Sequence, residues 1–268
     1  MGDSTDTPRW WFLGRHGSVH LYVPNVIGYV RILAALLAFA CAMSSPITSV
    51  TLYFLSFACD ELDGRFARML GQQSTLGAVL DMVTDRVATC GLVAVLLGRI
   101  VLAFDGSWSM NVGRFDLWGW QVEREQIVVL VTVVLIGLMF LDIFSHWFHM
   151  YASLATKGFG SSHKDLNNSD AWLLRMYYQH RIFMGYCCVS VEVLYLVAYL
   201  MTFDHILQAW GTVLLVIFAL TSPGFLIKQT ANVVQLRNAA IKLIDLDTGN
   251  SRKSPQKGRA RSKTPRRK

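Results

Sequence analysis

Charge is scarce in this chain. Only 16% of its 268 residues are Asp, Glu, Lys or Arg, against about 25% in an average soluble domain. With 53% hydrophobic residues and a mean hydropathy of +0.38, that deficit excludes an ordinary soluble domain and points to a membrane. Cysteine patterning is also missing. The five cysteines, Cys41, Cys59, Cys90, Cys187 and Cys188, form no CxxC pair and no Cys/His ligand spacing, which excludes a disulfide frame and a zinc site. The first twenty residues lack a long apolar core and carry Trp10, Trp11 and Phe12 among Arg9, Arg15 and His16. That pattern excludes a cleavable signal and suits a short interfacial helix over 1–20. Residues 249–268 lack acids and large apolar side chains but hold nine bases. Such a tail, 248–268, is expected to be disordered and solvated, with some attraction to anionic lipid. No nucleic-acid-reading fold accompanies it, so nucleic acid is not an expected partner.

What is present is a series of apolar runs long enough to cross a bilayer, which takes about 20 residues. Six are expected: 21–43, 47–70, 75–103, 125–150, 182–203 and 206–227, the last continuing past Pro223 to about Leu246. They predict an all-α integral membrane domain over 21–247. Ser44, Ser45 and Pro46 mark a tight turn, and 104–123 reads as a polar loop with Gly and Trp. Eight Trp suit interfacial belts. Six spans put both termini on one side, and the positive-inside rule places the basic tail in the cytoplasm. The links 70–75 and 156–180 are then cytoplasmic.

The second and third spans contain what membrane helices avoid: Asp60, Glu61, Asp63, Arg65 and Arg68 in one, Asp81, Asp85 and Arg86 in the next. A charged side chain at the bilayer centre costs about 2.5–3.5 kcal/mol on insertion scales. Asp60 and Asp63 are three residues apart, Asp81 and Asp85 four, so each pair projects from one helix face. A short link between antiparallel helices brings the faces together. Four converging carboxylates repel unless hard cations intervene, and all-oxygen ligation favours Mg²⁺, Mn²⁺ or Ca²⁺ over Zn²⁺. Two metals about 3.5–4 Å apart are the usual arrangement for displacement at phosphorus. Gly64, Ala67 and Gly77 let helices approach closely and leave room for a ligand, and Arg68 is placed to meet phosphate. Purely structural Asp–Arg pairing, a divalent-cation transporter and a membrane scaffold compete with this reading. The transporter requires an aqueous path through both leaflets and leaves Gly64, Ala67 and Arg68 without a role.

At these residues the chain resembles the CDP-alcohol phosphatidyltransferases. Their signature, D-x2-D-G-x2-A-R-x8-G-x3-D-x3-D, is matched at every fixed position by DELDGRFARMLGQQSTLGAVLDMVTD from Asp60 to Asp85. The softer stretches YVPNVIGYVRI, LDMVTDR, DIFSHWFHMYASL, SHK and LRMYYQHR resemble the inositol-accepting branch of that family. The family's six spanning helices agree with the count above. By position, the resemblance implies that Asp60, Asp63, Asp81 and Asp85 ligate two Mg²⁺ or Mn²⁺ ions, with Asp85 also the general base. It implies that Gly64, Arg68 and Ser74 contact CDP-diacylglycerol, although Gln73–Ser74 stands where a Gly-Thr pair is common. The implied reaction passes the phosphatidyl group to myo-inositol and releases CMP. Glycerol phosphate, serine, choline and ethanolamine are the alternative acceptors within the family. A homodimer in the endoplasmic reticulum is implied as well.

An inositol pocket needs hydrogen-bonding groups without an aromatic cage. The candidates are Asp142, His146, Lys164, Arg175 and Arg181, near the cytoplasmic ends of spans four and five. With His149 following, Asp142 and His146 are read as a hydrogen-bonded cluster before a metal site. Asn25 and Arg31 are expected to face the nucleotide or its diphosphate, and Pro24 to start a helix.

Overall fold

The computed structural model of the protein describes residues 17–106, 114–117, 120–157 and 180–248. After a one-turn helix α1 (Gly17–His20), six long helices carry the fold: α2 (Val23–Cys41), α3 (Pro46–Met69), α4 (Thr75–Gly106), α5 (Arg124–Lys157), α6 (Arg181–Met201) and α7 (Asp204–Asp247). All but α3 contain a stretch long and apolar enough to cross a membrane, so this is an integral membrane protein. The charges of the acidic motif set α3 apart. Two short antiparallel strands, β1 (Arg114–Leu117) and β2 (Trp120–Glu123), pair Arg114 with Glu123 and Leu117 with Trp120. They correct the expectation that 104–123 is loop throughout. Most of the expected N-terminal interfacial segment and the basic tail lie outside the described residues.

The described residues group into two compact units, one of residues up to Ile143 together with Ile182–Gln229, the other of Phe144–Arg181 and Thr230 onward. In the first unit, packing inverts the soluble pattern. The buried face of α2 is Asn25, Gly28, Arg31, Ala34, Ala35 and Ala38, while Leu33, Leu36 and Leu37 are exposed. Against lipid there is no gain in hiding leucine, and small residues let backbones approach. A Cβ on Gly28 would meet the side chain of Leu80, and one on Gly77 the Asn25 amide oxygen and Ser74 hydroxyl. These two glycines therefore let α2 and α4 lie close.

The ends of these helices are tied down. Pro46, expected in the turn with Ser44 and Ser45, is the first residue of α3, where a missing N–H costs nothing. At the other end of α3, Gly71 adopts φ +63° and the Gln72 N–H donates to the Ala67 carbonyl, a Schellman closure. The Gln72 side-chain oxygen then accepts from the Val23 N–H at 2.9 Å, fixing the α3–α4 link to the start of α2. At the opposite end, the Tyr199 hydroxyl donates to the Ala42 carbonyl at 2.6 Å, and Arg99 reaches the Thr202 carbonyl and stacks over Phe203. Helix α7 continues through Pro223. In the preceding turn, the Tyr186 hydroxyl donates to the Leu220 carbonyl at 2.8 Å and ties α6 to α7. Between these ends, Leu92, Val93, Leu96, Leu194, Tyr195 and Val197 form an apolar core.

Candidate active site

The acidic motif folds as its spacing predicts, and its centre is a side chain from a third helix. Asp60 and Asp63 on α3 and Asp81 and Asp85 on α4 all meet the Arg31 guanidinium of α2. Nη1 donates to Asp63 and Asp81, each at 2.9 Å, and Nη2 lies 2.5 Å from Asp60 and 2.6 Å from Asp85. Ser56 holds this arginine's backbone by donating to its carbonyl at 2.9 Å. Arg31 itself is 3% exposed. The site opens on one side: the Asp63 side chain is 10% exposed and that of Asp81 49%.

One guanidinium faces four carboxylates, so the cluster remains an anion-rich donor set. Oxygens of Asp60, Asp63 and Asp81 lie within 4.8 Å of one another. All-oxygen carboxylate ligation of this kind fits a hard divalent cation. A cation ligated by these oxygens would take over contacts that Arg31 makes.

Around this centre the expected ligand residues divide. Gly64 is open above its backbone, where an added Cβ would meet only the Arg68 guanidinium at ordinary contact distance. Arg68 is exposed on the last turn of α3. The Ser74 hydroxyl accepts the Gly77 N–H at 2.9 Å and so caps α4, keeping its own proton for another partner. Arg31, expected to face the nucleotide or its diphosphate, lies among the four carboxylates. Asn25 is 1% exposed, donates to the Val19 carbonyl at 2.7 Å and packs its amide oxygen toward Gly77.

A second polar layer adjoins the carboxylates. Asp142 accepts from Arg86 at 2.7 and 2.8 Å. Glu192 of α6 accepts from the Tyr53 hydroxyl and the Thr89 hydroxyl, each at 2.6 Å. A cavity of about 130 Å³ joins this layer to the motif: its lining includes Asp60 and Asp85 as well as Glu192, Asp142 and Lys228. Glu192 and Lys228 were missed as site residues. Their signal was available, because an ionisable residue inside an apolar span is a functional candidate by default. Of the other expected pocket residues, His146 belongs to the second unit, where its Nδ1 lies 3.1 Å from the Ser145 hydroxyl. Lys164, Arg175 and the side chain of Arg181 lie outside the described residues.

The CDP-alcohol phosphatidyltransferase family matches residues 21–159. The chain is 43% identical to CDP-diacylglycerol--inositol 3-phosphatidyltransferase 1 of Arabidopsis thaliana, over 83% of this chain and 88% of that protein. It is 38% identical to CDP-diacylglycerol--inositol 3-phosphatidyltransferase of Saccharomyces cerevisiae, over 86% of this chain and 89% of that one. The human protein of the same description is 30% identical over 88% of this chain and 97% of its own length. No solved structure matches the chain.

Proposed function

Because the chain belongs to the CDP-alcohol phosphatidyltransferase family, we propose that it transfers the phosphatidyl group of CDP-diacylglycerol to myo-inositol, giving phosphatidylinositol and CMP. The observation that carries the chemistry is the convergence of Asp60, Asp63, Asp81 and Asp85 on one point between α2, α3 and α4. The inositol assignment rests on relatives of that description matching well beyond the motif, at 30–43% identity over more than four-fifths of the chain.

In the reaction, an inositol hydroxyl oxygen bonds to the phosphorus that carries diacylglycerol. The bond from that phosphorus to the bridging oxygen breaks, and CMP leaves with the electron pair. Asp85 accepts the hydroxyl proton; a carboxylate suffices because the proton becomes acidic as the new bond forms. Two Mg²⁺ or Mn²⁺ ions held by the four aspartates would neutralise the diphosphate and stabilise the leaving phosphate. Gly64, Arg68 and Ser74 bind the CDP moiety, Gly64 by leaving backbone open and Arg68 by pairing with phosphate. Asp142, His146, Lys164, Arg175 and Arg181 remain the sequence-based candidates for the inositol side.

We further infer that all six long helices cross the bilayer within one catalytic domain, 21–247, flanked by the segment 1–20 and the tail 248–268. The protein sits in the endoplasmic reticulum membrane with the active site and both termini facing the cytoplasm, and the enzyme works as a homodimer. Against a transporter stands the apolar core of Leu92, Val93, Leu96 and Tyr199, each at most 3% exposed, beyond the polar layer on the same helices. The test is CMP release by purified protein supplied with CDP-diacylglycerol, with and without myo-inositol and Mn²⁺. Release dependent on both supports the proposal. Release with another alcohol but not inositol moves the assignment to another acceptor, and no release with any alcohol refutes the activity.

A further inference from the structure

We propose that the cavity beside Asp85 is the acceptor-alcohol pocket and that Glu192 and Lys228 are its specificity-determining residues; this rests on the transfer reaction proposed above. Three observations support it. First, the cavity is continuous with the reacting centre: Asp60, Asp85 and Arg31 line it together with Glu192 and Lys228. An alcohol bound there presents a hydroxyl to Asp85 without crossing another barrier. Thr89, which holds Glu192, stands one turn after Asp85 on α4. A turn advances about 5.4 Å, comparable to the width of a six-membered polyol ring, so one ring bridges from the Glu192 wall to the base.

Second, the hydrogen-bonding groups are held in place before any ligand arrives. Each Glu192 carboxylate oxygen is oriented by one hydroxyl, Oε2 by Tyr53 and Oε1 by Thr89. A carboxylate has about four acceptor sites, so both oxygens can still receive hydroxyls of a ligand. Arg86 is clamped by Asp142 on the same cavity wall.

Third, the charge and shape of the lining select the class of alcohol. Apart from the aspartates that would hold metal and their partner Arg31, its bases are Arg86 and Lys228 and its acids are Asp142 and Glu192. The lining is thus close to formal balance. It has no cationic surplus for an alcohol phosphate. Its aromatic residues are Tyr53 and Phe57 alone, too few to cage a quaternary ammonium, and the Tyr53 hydroxyl is committed to Glu192. Many fixed donors and acceptors in a nearly neutral cavity suit an uncharged polyol. Removing a group built to bond a substrate hydroxyl weakens that substrate selectively.

The experiment uses the full-length purified enzyme and the variants Glu192→Gln, Lys228→Met and Tyr53→Phe. Initial rates of CMP release are measured with each substrate varied in turn. Binding of tritiated myo-inositol is measured separately, as a readout that needs no turnover. Glu192→Gln and Lys228→Met are expected to raise the KM for inositol and weaken its binding about tenfold or more, the effect of one hydrogen bond to a charged group. Tyr53→Phe, which only unfixes Glu192, is expected to raise it about threefold. The KM for CDP-diacylglycerol should stay within about twofold. If Glu192→Gln does not fold, the other two variants decide. An inositol KM unchanged in the folded variants, or a rise shared equally by both substrates, overturns the pocket. A wild-type enzyme inactive with inositol but active with another alcohol instead overturns the acceptor reading on which the pocket rests.

Discussion

Replacing Arg31 by Met keeps the buried hydrocarbon stem and removes the one cation that the four aspartates share. Arg31 is 3% exposed and its two terminal nitrogens lie 2.5–2.9 Å from four carboxylates. Removing one partner of a buried ion pair costs about 3–5 kcal/mol. The side chains of Asp60, Asp81 and Asp85 are 31%, 49% and 33% exposed, so water screens part of the repulsion left behind. The lower end, about 3 kcal/mol, is the reasoned value. At about 2–4 °C per kcal/mol for a chain of this size, Tm in detergent with a chelator should fall by about 6–12 °C. Metal should then act unequally. In the wild type a divalent ion must displace guanidinium contacts, whereas in the variant it meets uncompensated carboxylates. Mn²⁺ at about 100 times its Kd stabilises a protein by about 2.7 kcal/mol, so at one fixed Mn²⁺ concentration the variant, binding more tightly, should gain more Tm than the wild type. The assay is thermal unfolding of both proteins in chelator and across a Mn²⁺ titration. Equal Tm values in chelator, or equal gains from Mn²⁺, would refute the view that Arg31 and divalent metal compete for the same oxygens.

Asp85→Asn should lower turnover at least about 100-fold, the lower range for a lost general base, while expression persists; near-normal CMP release would remove Asp85 from that role. Gly64→Leu should raise the KM for CDP-diacylglycerol more than about tenfold with little change for inositol. Its Cβ meets only the end of the Arg68 side chain, so Tm should hold within about 2 °C, and a kinetically silent variant would show that the nucleotide does not lie over this backbone. Tyr199→Phe strands the Ala42 carbonyl, which accepts from Tyr199 at 2.6 Å. It should cost about 1–3 kcal/mol, read as a lower Tm with both KM values unmoved.

The acid pairs were legible because their partners are local. Spacings of three and four put each pair on one face, and a link of a few residues fixes how the two helices meet. The Gly71 reversal and the Gln72 tie to Val23 give that link its geometry. Helix limits were legible from the length of the apolar runs: α3 and α4 begin at Pro46 and Thr75, where runs were expected from 47 and 75. For Arg31 the sequence suggests a place near the nucleotide or its diphosphate but does not reveal the carboxylates it meets. Nothing within α2 says that it will meet residues 32 and 54 positions away. The strand pair Arg114–Leu117 and Trp120–Glu123 was hidden because four residues are the least over which an alternating pattern can be read.

Glu192 is the sharper lesson, because the argument that found the cluster applies equally to a single acid. Its partners Tyr53 and Thr89 are 139 and 103 residues distant, so no spacing rule reaches them. The insertion cost still does. A charged side chain in mid-membrane costs about 2.5–3.5 kcal/mol. Two hydrogen bonds to a charged group return about 1.5–3 kcal/mol each, so Tyr53 and Thr89 offset that cost inside the fold. Energy alone therefore does not separate a structural Glu192 from a substrate-binding one. Position does: Glu192 lines the same cavity as Asp60 and Asp85, with both carboxylate oxygens held by hydroxyls, whereas Leu194 lies in the apolar core. That placement is the reason to test Glu192 against the acceptor alcohol and not only against stability.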